Sequence, residues 1–239
     1  MLELFHTLFY LPLFNLLIFL YTILPMQDMG IAIILLTILV RLMLWPLTKK
    51  QIAIQKAMKE LQPKLNEIKE KYKDDKIKQG EETMRLYKEN NANPASSCLP
   101  LLIQLPILLA MYQAFGKGLQ ADALIDVYSF ISKPDVINTQ FITLIDLTKP
   151  FIPLAILAAI AQFWQAKMMV GARPLTSKDG AKDEAFQAAL NNQMVYMMPI
   201  LTVFIGWKLP AGVMLYWLTG TIMMGVQQIA QLKKSNPTP

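Results

Sequence analysis

Apolar residues along the chain gather into long blocks that polar and charged segments separate. Five blocks are candidates to cross a bilayer: residues 29–47, 98–115, 151–170, 194–207 and 211–230. Crossing the hydrocarbon core takes about 20 helical residues at about 1.5 Å rise each. The fourth block is the shortest, so it predicts a short span around which the bilayer thins. The pattern as a whole predicts an all-α integral membrane protein with a five-span helical core.

The N-terminal segment has two interpretations. Residues 4–25 are apolar enough to span, but they contain Pro12 and Asn15 and have no basic flank. A cleaved signal peptide needs a charged start and a small-residue cleavage site, and neither is present. Either the segment is a helix on the outer interface, or it is a sixth span. Four regions follow: an outer-side N-terminal helix (1–27), a first span (28–48), a cytoplasmic segment (49–97) and the remaining spans, loops and tail (98–239).

The basic residues indicate the orientation. Eighteen of the 23 Lys and Arg residues fall in residues 48–97, residues 167–192 and the C-terminal tail, and four fall in the alternate loops. Short cytoplasmic loops carry the excess of positive charge in membrane proteins. The first span therefore runs inward, and the C-terminus is expected in the cytoplasm of a multi-pass protein of the bacterial plasma (inner) membrane.

The long polar segment between the first two spans predicts a helical hairpin. Its apolar residues are spaced alternately by four and three positions, at Ile54, Met58, Leu61, Leu65, Ile68 and Tyr72. This is a heptad stripe on one helix face, and Pro63 predicts a kink or a fresh helix start within it. A second helix is expected over residues 77–90. The hairpin either packs only on itself in solvent or docks a ribosome, a targeting factor or a substrate.

Composition narrows the chemistry. Hydrophobic residues make up 54% of the chain and charged residues 17%, against about 25% charged in soluble proteins. The single cysteine, Cys98, and the single histidine, His6, argue against a disulfide framework and a His/Cys metal centre. The five blocks contain no Asp or Glu, so they offer no acid–base pair for hydrolysis. We expect no enzyme activity and no cofactor. The basic residues behind the net charge of +6 are distributed as membrane orientation requires, so we expect no DNA binding.

One charge lies inside an apolar block. Arg41 sits in the first block, at a depth where an unpaired charge costs several kcal/mol. It either snorkels to the inner headgroups or faces water, a lipid phosphate or an incoming charge in a cavity. Further polar side chains fall toward the same half of the membrane, namely Thr37, Gln104, Gln162, Gln165, Thr219, Thr221, Gln227 and Gln228. Each alone is typical of hydrogen-bonding between helices, but together they predict a hydrophilic pocket open to the cytoplasm.

Five stretches carry a family resemblance. They are ILLTILVRLMLWPLTKKQ (34–51), MKELQPKLNEIKEKY (58–72), NPASSCLPLLIQLPILLAMYQAF (93–115), QMVYMMPILTVF (193–204) and LPAGVMLYWLTG (209–220). In this order they resemble the YidC-type membrane protein insertases, relatives of the mitochondrial Oxa and chloroplast Alb proteins. The resemblance implies five core helices, a cytoplasmic hairpin and an outer amphipathic helix at residues 8–24. It also implies a groove, open to cytoplasm and lipid, that holds Arg41 with Thr37 one turn earlier.

The resemblance also implies a function and a set of partners. The family's last span often carries two adjacent tyrosines, of which the second meets the substrate; here the pair is Tyr216 and Trp217. Compared with some members, we expect no large extracytoplasmic domain and only a short C-terminal tail. The implied function is insertion and folding of small, nascent membrane proteins, in contact with membrane lipids. The ribosome and the Sec translocon or a targeting factor would meet the hairpin. A small transporter or channel is the alternative. Transporters typically have an internal repeat or polar groups at the membrane midplane.

Overall fold

A computed structural model describes residues 2–90, 99–118, 121–170 and 193–235. These residues form an all-α protein, as predicted, with one two-stranded ribbon. The α-helices are α1 (Leu2–Phe5), α2 (Leu11–Ile23), α3 (Met29–Met43), α4 (Trp45–Glu60), α5 (Gln62–Lys71), α6 (Lys76–Glu89), α7 (Leu99–Gln113), α8 (Ile152–Val170), α9 (Met198–Gly206) and α10 (Ala211–Ser235). π-helical turns at His6–Tyr10, Ala114–Gly118 and Gln193–Met197 adjoin α2, α7 and α9.

The N-terminal helix is continuous across α1, the first π-helical turn and α2. Among the described residues, Glu3–Ile23 is one unbroken helix that is long and apolar enough to cross a membrane by itself. Three further apolar helices are shorter: Leu102–Gly116, Ile152–Met168 and Val195–Gly206. Length and composition alone therefore do not separate a spanning N-terminal helix from an interfacial one.

The contacts of the N-terminal helix show what it packs against. The Asn15 amide donates to the carbonyl of Asp126 at 3.0 Å and accepts from the N–H of Tyr128 at 2.7 Å. Six residues further on, the Tyr21 hydroxyl accepts from the N–H of Asn138 at 2.8 Å. All three partner residues belong to the segment between α7 and α8, so two positions of this helix are hydrogen-bonded to that connection.

The first predicted span bends before its expected end. α3 and α4 together are long and apolar enough to span, but they meet at an angle of 66°. Pro46 is the second residue of α4 and has no N–H to donate to the carbonyl of Leu42, and its ring disfavours a straight helix through this point. The predicted boundary at residue 48 therefore falls inside α4, and the straight part of the span ends at Met43.

The core of the bundle is made by α10, which packs against both α3 and α8. Its fully buried side chains include Met29, Ile33, Leu36, Ala155, Ala158, Val213 and Met214. Close approach depends on glycines, since a β-carbon at Gly225 would overlap the Trp164 ring and one at Gly206 would lie 2.6 Å from the β-carbon of Ala155. Small residues at such seams are typical of helix packing in membranes.

The hairpin takes the predicted form. α4 ends at Glu60, and α5 begins anew with Pro63 in its first turn, where a missing N–H costs nothing. Leu61 and Leu65 pack against Tyr87 of α6 in a small separate core. Asp75 caps the N-terminus of α6 through the N–H of Lys78 at 3.0 Å. The predicted second helix, residues 77–90, is thus Lys76–Glu89, and the rest of the expected cytoplasmic segment, residues 91–97, lies outside the described residues.

The connection between α7 and α8 caps two core helices. It holds the antiparallel strands β1 (Gln140–Phe141) and β2 (Ile145–Asp146). Asp28 accepts from Ile31 at the start of α3 and from the Ile142 N–H at 2.7 Å. The carbonyls of Leu147 and Lys149 accept the first two N–H groups of α10 at 2.9 and 2.8 Å. The connection thereby fixes the ends of α3 and α10 relative to each other.

Charge also organises this connection. The Lys149 ammonium lies 2.7 Å from a carboxylate oxygen of Asp146, and the Thr148 hydroxyl donates to the other oxygen at 2.6 Å. These hydrogen bonds lower the pKa of Asp146 below its ordinary value. The ion pair lies at the start of α8, next to the carbonyls that cap α10.

The predicted fourth span is short within the described residues. It comprises the π-helical turn Gln193–Met197 and α9, and a tight connection through Pro210 leads into α10. An extension of this helix inward from residue 185 would fall in residues 171–192, which lie outside the described residues.

Candidate functional site

The central feature of the site is a chain of polar contacts that joins three helices. Arg41 of α3 donates from Nη2 to Oε1 of Gln104 on α7 at 3.3 Å. Gln104 donates from Nε2 to the Tyr216 hydroxyl of α10 at 2.7 Å. Tyr216 is buried, whereas Arg41 and Gln104 are half-buried. Three residues singled out from the sequence, 63 and 112 positions apart, thus meet at one point.

Within the part of the chain that the structure describes, Arg41 has no acidic partner. The ion pairs formed by the described residues lie elsewhere, in the hairpin, near His6 and at Lys149, and none of them includes Arg41. A cation without an anionic partner among these residues keeps its attraction for an incoming negative charge. The arrangement can therefore hold an acidic group or water.

Gly220 makes room for the guanidinium. A β-carbon at this position would lie 2.9 Å from Arg41 Nη2 and 3.3 Å from Nε. The glycine sits one helical turn after Tyr216 on α10, so the same helix face supplies both the hydroxyl and the space. Gly220 was not predicted as a site residue. A glycine inside an otherwise apolar span indicates close packing and could have pointed to it.

The space beside Arg41 is small. A cavity of about 20 Å³ is lined by Arg41, Leu44, Leu47, Thr48, Gln51, Ile103, Gln104 and Met224. That volume holds roughly one water molecule. α4 contributes Leu47, Thr48 and Gln51 to the wall of this cavity.

Thr37 lies one turn before Arg41 on α3. Its hydroxyl is fully buried and donates to the carbonyl of Ile33 at 2.7 Å. This bond to its own helix satisfies the hydroxyl without a ligand. Thr37 is thus near Arg41 along the helix, but its hydroxyl bonds to the backbone of α3 and not to Arg41, Gln104 or Tyr216.

The glutamines of α8 form a second polar group. Gln162 accepts at Oε1 from the Thr202 hydroxyl of α9 at 2.6 Å. Gln165 points its amide at the sulfur of Met224 at 3.6 Å. Met224 also lines the cavity beside Arg41, so it separates the two polar groups. Thr202 is buried and was missed from the sequence, where an isolated threonine in an apolar block gives little signal.

Two further predicted residues lie on α10. Trp217 is half-buried and packs on the main core, and Thr219 is half-buried. The resemblance placed the substrate contact on Trp217, the second residue of the aromatic pair. In this structure it is the first, Tyr216, whose polar atom reaches the arginine cluster.

Comparison with known proteins agrees with this architecture. Residues 19–237 match the model of the 60Kd inner membrane protein family. The chain is 35% identical over 207 residues to the membrane protein insertase YidC of Fusobacterium nucleatum, with 87% of each protein covered. It is 34% identical over 209 residues to that of Clostridium tetani, with 87% of this chain and 84% of the relative covered. It is 37% identical over 204 residues to YidC 2 of Listeria innocua, of which it spans only 62%.

The site and the fold define an all-helical membrane protein with an arginine held between three helices. Because the family match covers most of the sequence, the chain belongs to the 60Kd inner membrane protein family, the family of the YidC insertases. The predicted resemblance is thereby confirmed, and the family places the protein in a bacterial membrane.

Proposed function

We propose that this protein is a membrane protein insertase that moves short polar tails of nascent membrane proteins past Arg41. The observation that carries the proposal is a cation that touches Gln104 and has no carboxylate partner among the described residues. The relatives named as insertases, which match most of this chain, support the same function.

The proposed topology follows the positive-inside rule, with five core spans and a cytoplasmic C-terminus. The N-terminal helix then lies on the outer side, because Asn15 and Tyr21 bind the connection between α7 and α8. That connection carries Lys133 and Lys149 but lacks the dense basic charge of the hairpin. The interfacial interpretation accounts for these bonds, whereas a sixth span would carry one end of the helix away from the connection.

The proposed mechanism has three physical contributions. Arg41 stabilises an acidic or polar tail that would otherwise be dehydrated in the membrane. The short fourth span thins the bilayer, which shortens the remaining apolar path. The membrane potential adds about 2.3 kcal/mol per charge per 100 mV for an acidic tail that moves outward. The apolar segment of the substrate then leaves into lipid past the exposed side chains of α8 and α9, such as Ile160, Ile200 and Phe204.

The proposed partner surface is the cytoplasmic hairpin. Ile77 and Met84 of α6 are 78% and 60% exposed, although Tyr87 on the same helix is buried. Apolar side chains left uncovered on a charged hairpin suit a transient partner. A ribosome, the Sec translocon or a targeting factor would meet the protein here.

The test is insertion into liposomes that contain only this protein. A single-span reporter with a short acidic N-terminal tail is translated in the presence of the proteoliposomes, and protease protection of the tail measures insertion. We expect protection well above that of empty liposomes. Ion flux through the same proteoliposomes, without insertion, would favour the transporter alternative and contradict the proposal.

A further inference from the structure

The turn between β1 and β2 has an unusual backbone. Ile142 and Thr143 are its two central residues, and both have positive φ, at 50° and 59°. The turn closes through the N–H of Leu144, which donates to the carbonyl of Phe141 at 3.1 Å. Hairpins normally place Asn and Gly where both central residues have positive φ, because a β-branched side chain is strained there. Two β-branched residues in this turn therefore call for a reason beyond chain reversal.

Two contacts hold the turn against the start of α3. The N–H of Ile142 donates to the Asp28 carboxylate at 2.7 Å, and the same carboxylate accepts from the N–H of Ile31 to cap α3. The Phe141 ring lies so close to Gly30 that a β-carbon on the glycine would overlap it. The turn is thus level with the first residues of α3, which in the proposed topology form the outer end of that span.

The turn presents uncovered apolar side chains. Ile142 and Leu144 are 57% and 83% exposed, and we call these two residues the turn tip. Met26, two residues before Asp28, is 77% exposed, and Ile23 at the end of α2 is also exposed. Asn and Gly would form the turn with less strain, so chain reversal does not explain the apolar tip. Exposed apolar side chains at one end of a protein indicate contact with another molecule or with a membrane.

Charge and depth favour lipid as the contact of the turn tip. Residues 138–145 carry no charge, and the charged residues of the connection flank them, at Lys133, Asp135, Asp146 and Lys149. Ile152 and Ile156, in the first turns of α8, are exposed on the surface that a span presents to lipid, and α8 begins at the same end of the bundle. An uncharged apolar tip at the level where spans begin meets the boundary between lipid headgroups and acyl chains.

The structure therefore assigns a membrane contact to this turn. We propose that Ile142 and Leu144 insert into the outer leaflet at the boundary between headgroups and acyl chains. Burial of the two side chains in lipid offsets the strain of the turn. Because the turn is bonded to Asp28, and the carbonyls of Leu147 and Lys149 cap α10, this anchor fixes the outer ends of α3 and α10 at one depth. The inference uses the proposed topology but does not depend on insertase activity.

The first experiment measures the depth of the turn tip. Leu144→Cys and, as the matched control on the same connection, Lys133→Cys are each combined with Cys98→Ser. Each thiol is labelled with a nitrobenzoxadiazole dye, and the protein is reconstituted into liposomes of phosphatidylethanolamine and phosphatidylglycerol. One quencher is iodide on both sides of the membrane, and the other is a phospholipid with a doxyl group near the top of its acyl chain.

The two quenchers distinguish lipid from water and from protein. We expect iodide to quench the label at residue 144 severalfold less than the label at residue 133, and the doxyl lipid to quench it severalfold more. The same quenching pattern at both positions would refute the anchor. A label at residue 144 that is protected from both quenchers would place the turn tip against protein, which would also contradict insertion into lipid.

The second experiment uses the unaltered chain. A phospholipid with a diazirine near the headgroup end of its acyl chain is included in the liposomes, and adducts are located by mass spectrometry after irradiation. We expect adducts on Ile142 and Leu144, as on Ile156 of α8, and few on residues 132–135. Adducts on Ile156 without any on the turn tip would refute the proposal.

A variant of the turn completes the test. Ile142→Asn, Thr143→Gly and Leu144→Ser together should reduce photolabelling of the turn severalfold, while Ile156 is labelled as before. The unfolding temperature of this variant in detergent should equal or exceed that of the wild type, because Asn and Gly relieve the strain of the turn. A clear fall in that temperature would show that the native side chains stabilise the fold itself, and it would contradict their assignment to lipid.

Discussion

The guanidinium of Arg41 lies against the backbone of α10 at Gly220, where a β-carbon would come within 2.9 Å of Nη2. The same guanidinium donates to Gln104, which in turn donates to Tyr216. The position of the charge is thus set by three helices, and the smallest residue of the set determines how closely the cation approaches α10. A freely snorkelling arginine would not need such a recess.

Replacing Gly220 tests whether that recess matters. Gly220→Ala should push the guanidinium away from α10 and lengthen its bond to Gln104, because the added methyl group occupies its place. The atoms that must move are the far end of a flexible side chain, and alanine favours the helix over glycine, so the substitution should cost little stability. We expect insertion of acidic-tail reporters to fall while the protein still folds, as judged by thermal unfolding in detergent and by the liposome assay.

Gly80→Ala is the matched control for this substitution. Gly80 lies within α6, and a β-carbon there would meet nothing within 4 Å. Alanine favours the helix by about 0.5–1 kcal/mol over glycine, so this variant should be as stable as the wild type or more so. Wild-type insertion by Gly220→Ala would show that the exact seat of Arg41 is unimportant.

The seam between α8 and α10 depends on a second glycine. A β-carbon at Gly225 would overlap the outer ring of the Trp164 indole. Gly225→Ala should therefore destabilise the protein by about 1–3 kcal/mol. Adding Trp164→Phe removes the ring atoms that clash and should restore much of the loss, which a double-mutant cycle of unfolding free energies measures. Additive losses in the double variant would contradict the predicted overlap.

The N-terminal helix should depend on its buried asparagine. Asn15→Leu leaves the carbonyl of Asp126 and the N–H of Tyr128 without their partner. An unsatisfied buried group costs about 1–3 kcal/mol, so unfolding should occur at a lower temperature. Asn66→Leu, at an exposed position of α5, should change stability by less than about 0.5 kcal/mol. If both variants unfold alike, the amide does not fasten the helix.

The hairpin should open more readily than the membrane core. Leu61, Leu65 and Tyr87 form its small core, separate from the main one. Few buried apolar contacts mean a low free energy of local opening. Backbone amides of α5 and α6 should exchange with deuterium faster than those of α8 and α10. Equal protection would indicate firm docking of the hairpin.

Much of the fold could be predicted from the sequence because membrane helices obey strong constraints. Block length and the excess of basic residues predicted the helical core, and the heptad spacing with Pro63 predicted where α5 begins. The bend at Leu44 was not predicted, although Pro46 was present. The apolar pattern continues across it, and hydropathy does not report the direction of a helix.

The sequence predicted which residues belong to the site better than it predicted how they contact one another. The position of each residue within its apolar block predicted that Arg41 and Gln104 lie at a similar depth in the membrane, because the rise per helical residue is fixed. Rotation about each helix axis is not fixed by depth, so the sequence could not show that Tyr216 rather than Trp217 reaches the arginine cluster. The bend also brings Leu47, Thr48 and Gln51 of α4 to the cavity beside Arg41, and the sequence pattern did not show this.

The charge of Arg41 yields the most direct prediction. Arg41→Lys keeps the cation but loses the planar fork that contacts Gln104. It should retain much of the insertion activity if the electric field acts on the tail. Arg41→Ala should lose most activity for acidic tails and less for neutral ones. The assay uses one reporter with zero, one or two tail carboxylates, inserted by the wild type and both variants.

The stability of Arg41→Ala separates function from folding. Removing a half-buried charge that has no carboxylate partner relieves desolvation rather than breaking an ion pair, so the folded protein should persist. Loss of the fold would reveal a structural partner such as a lipid phosphate. Equal insertion defects across the three tails would mean that the arginine acts by hydrating or shaping the cavity. A defect that grows with each carboxylate would instead show attraction between Arg41 and the tail, since that interaction scales with the charge it acts upon.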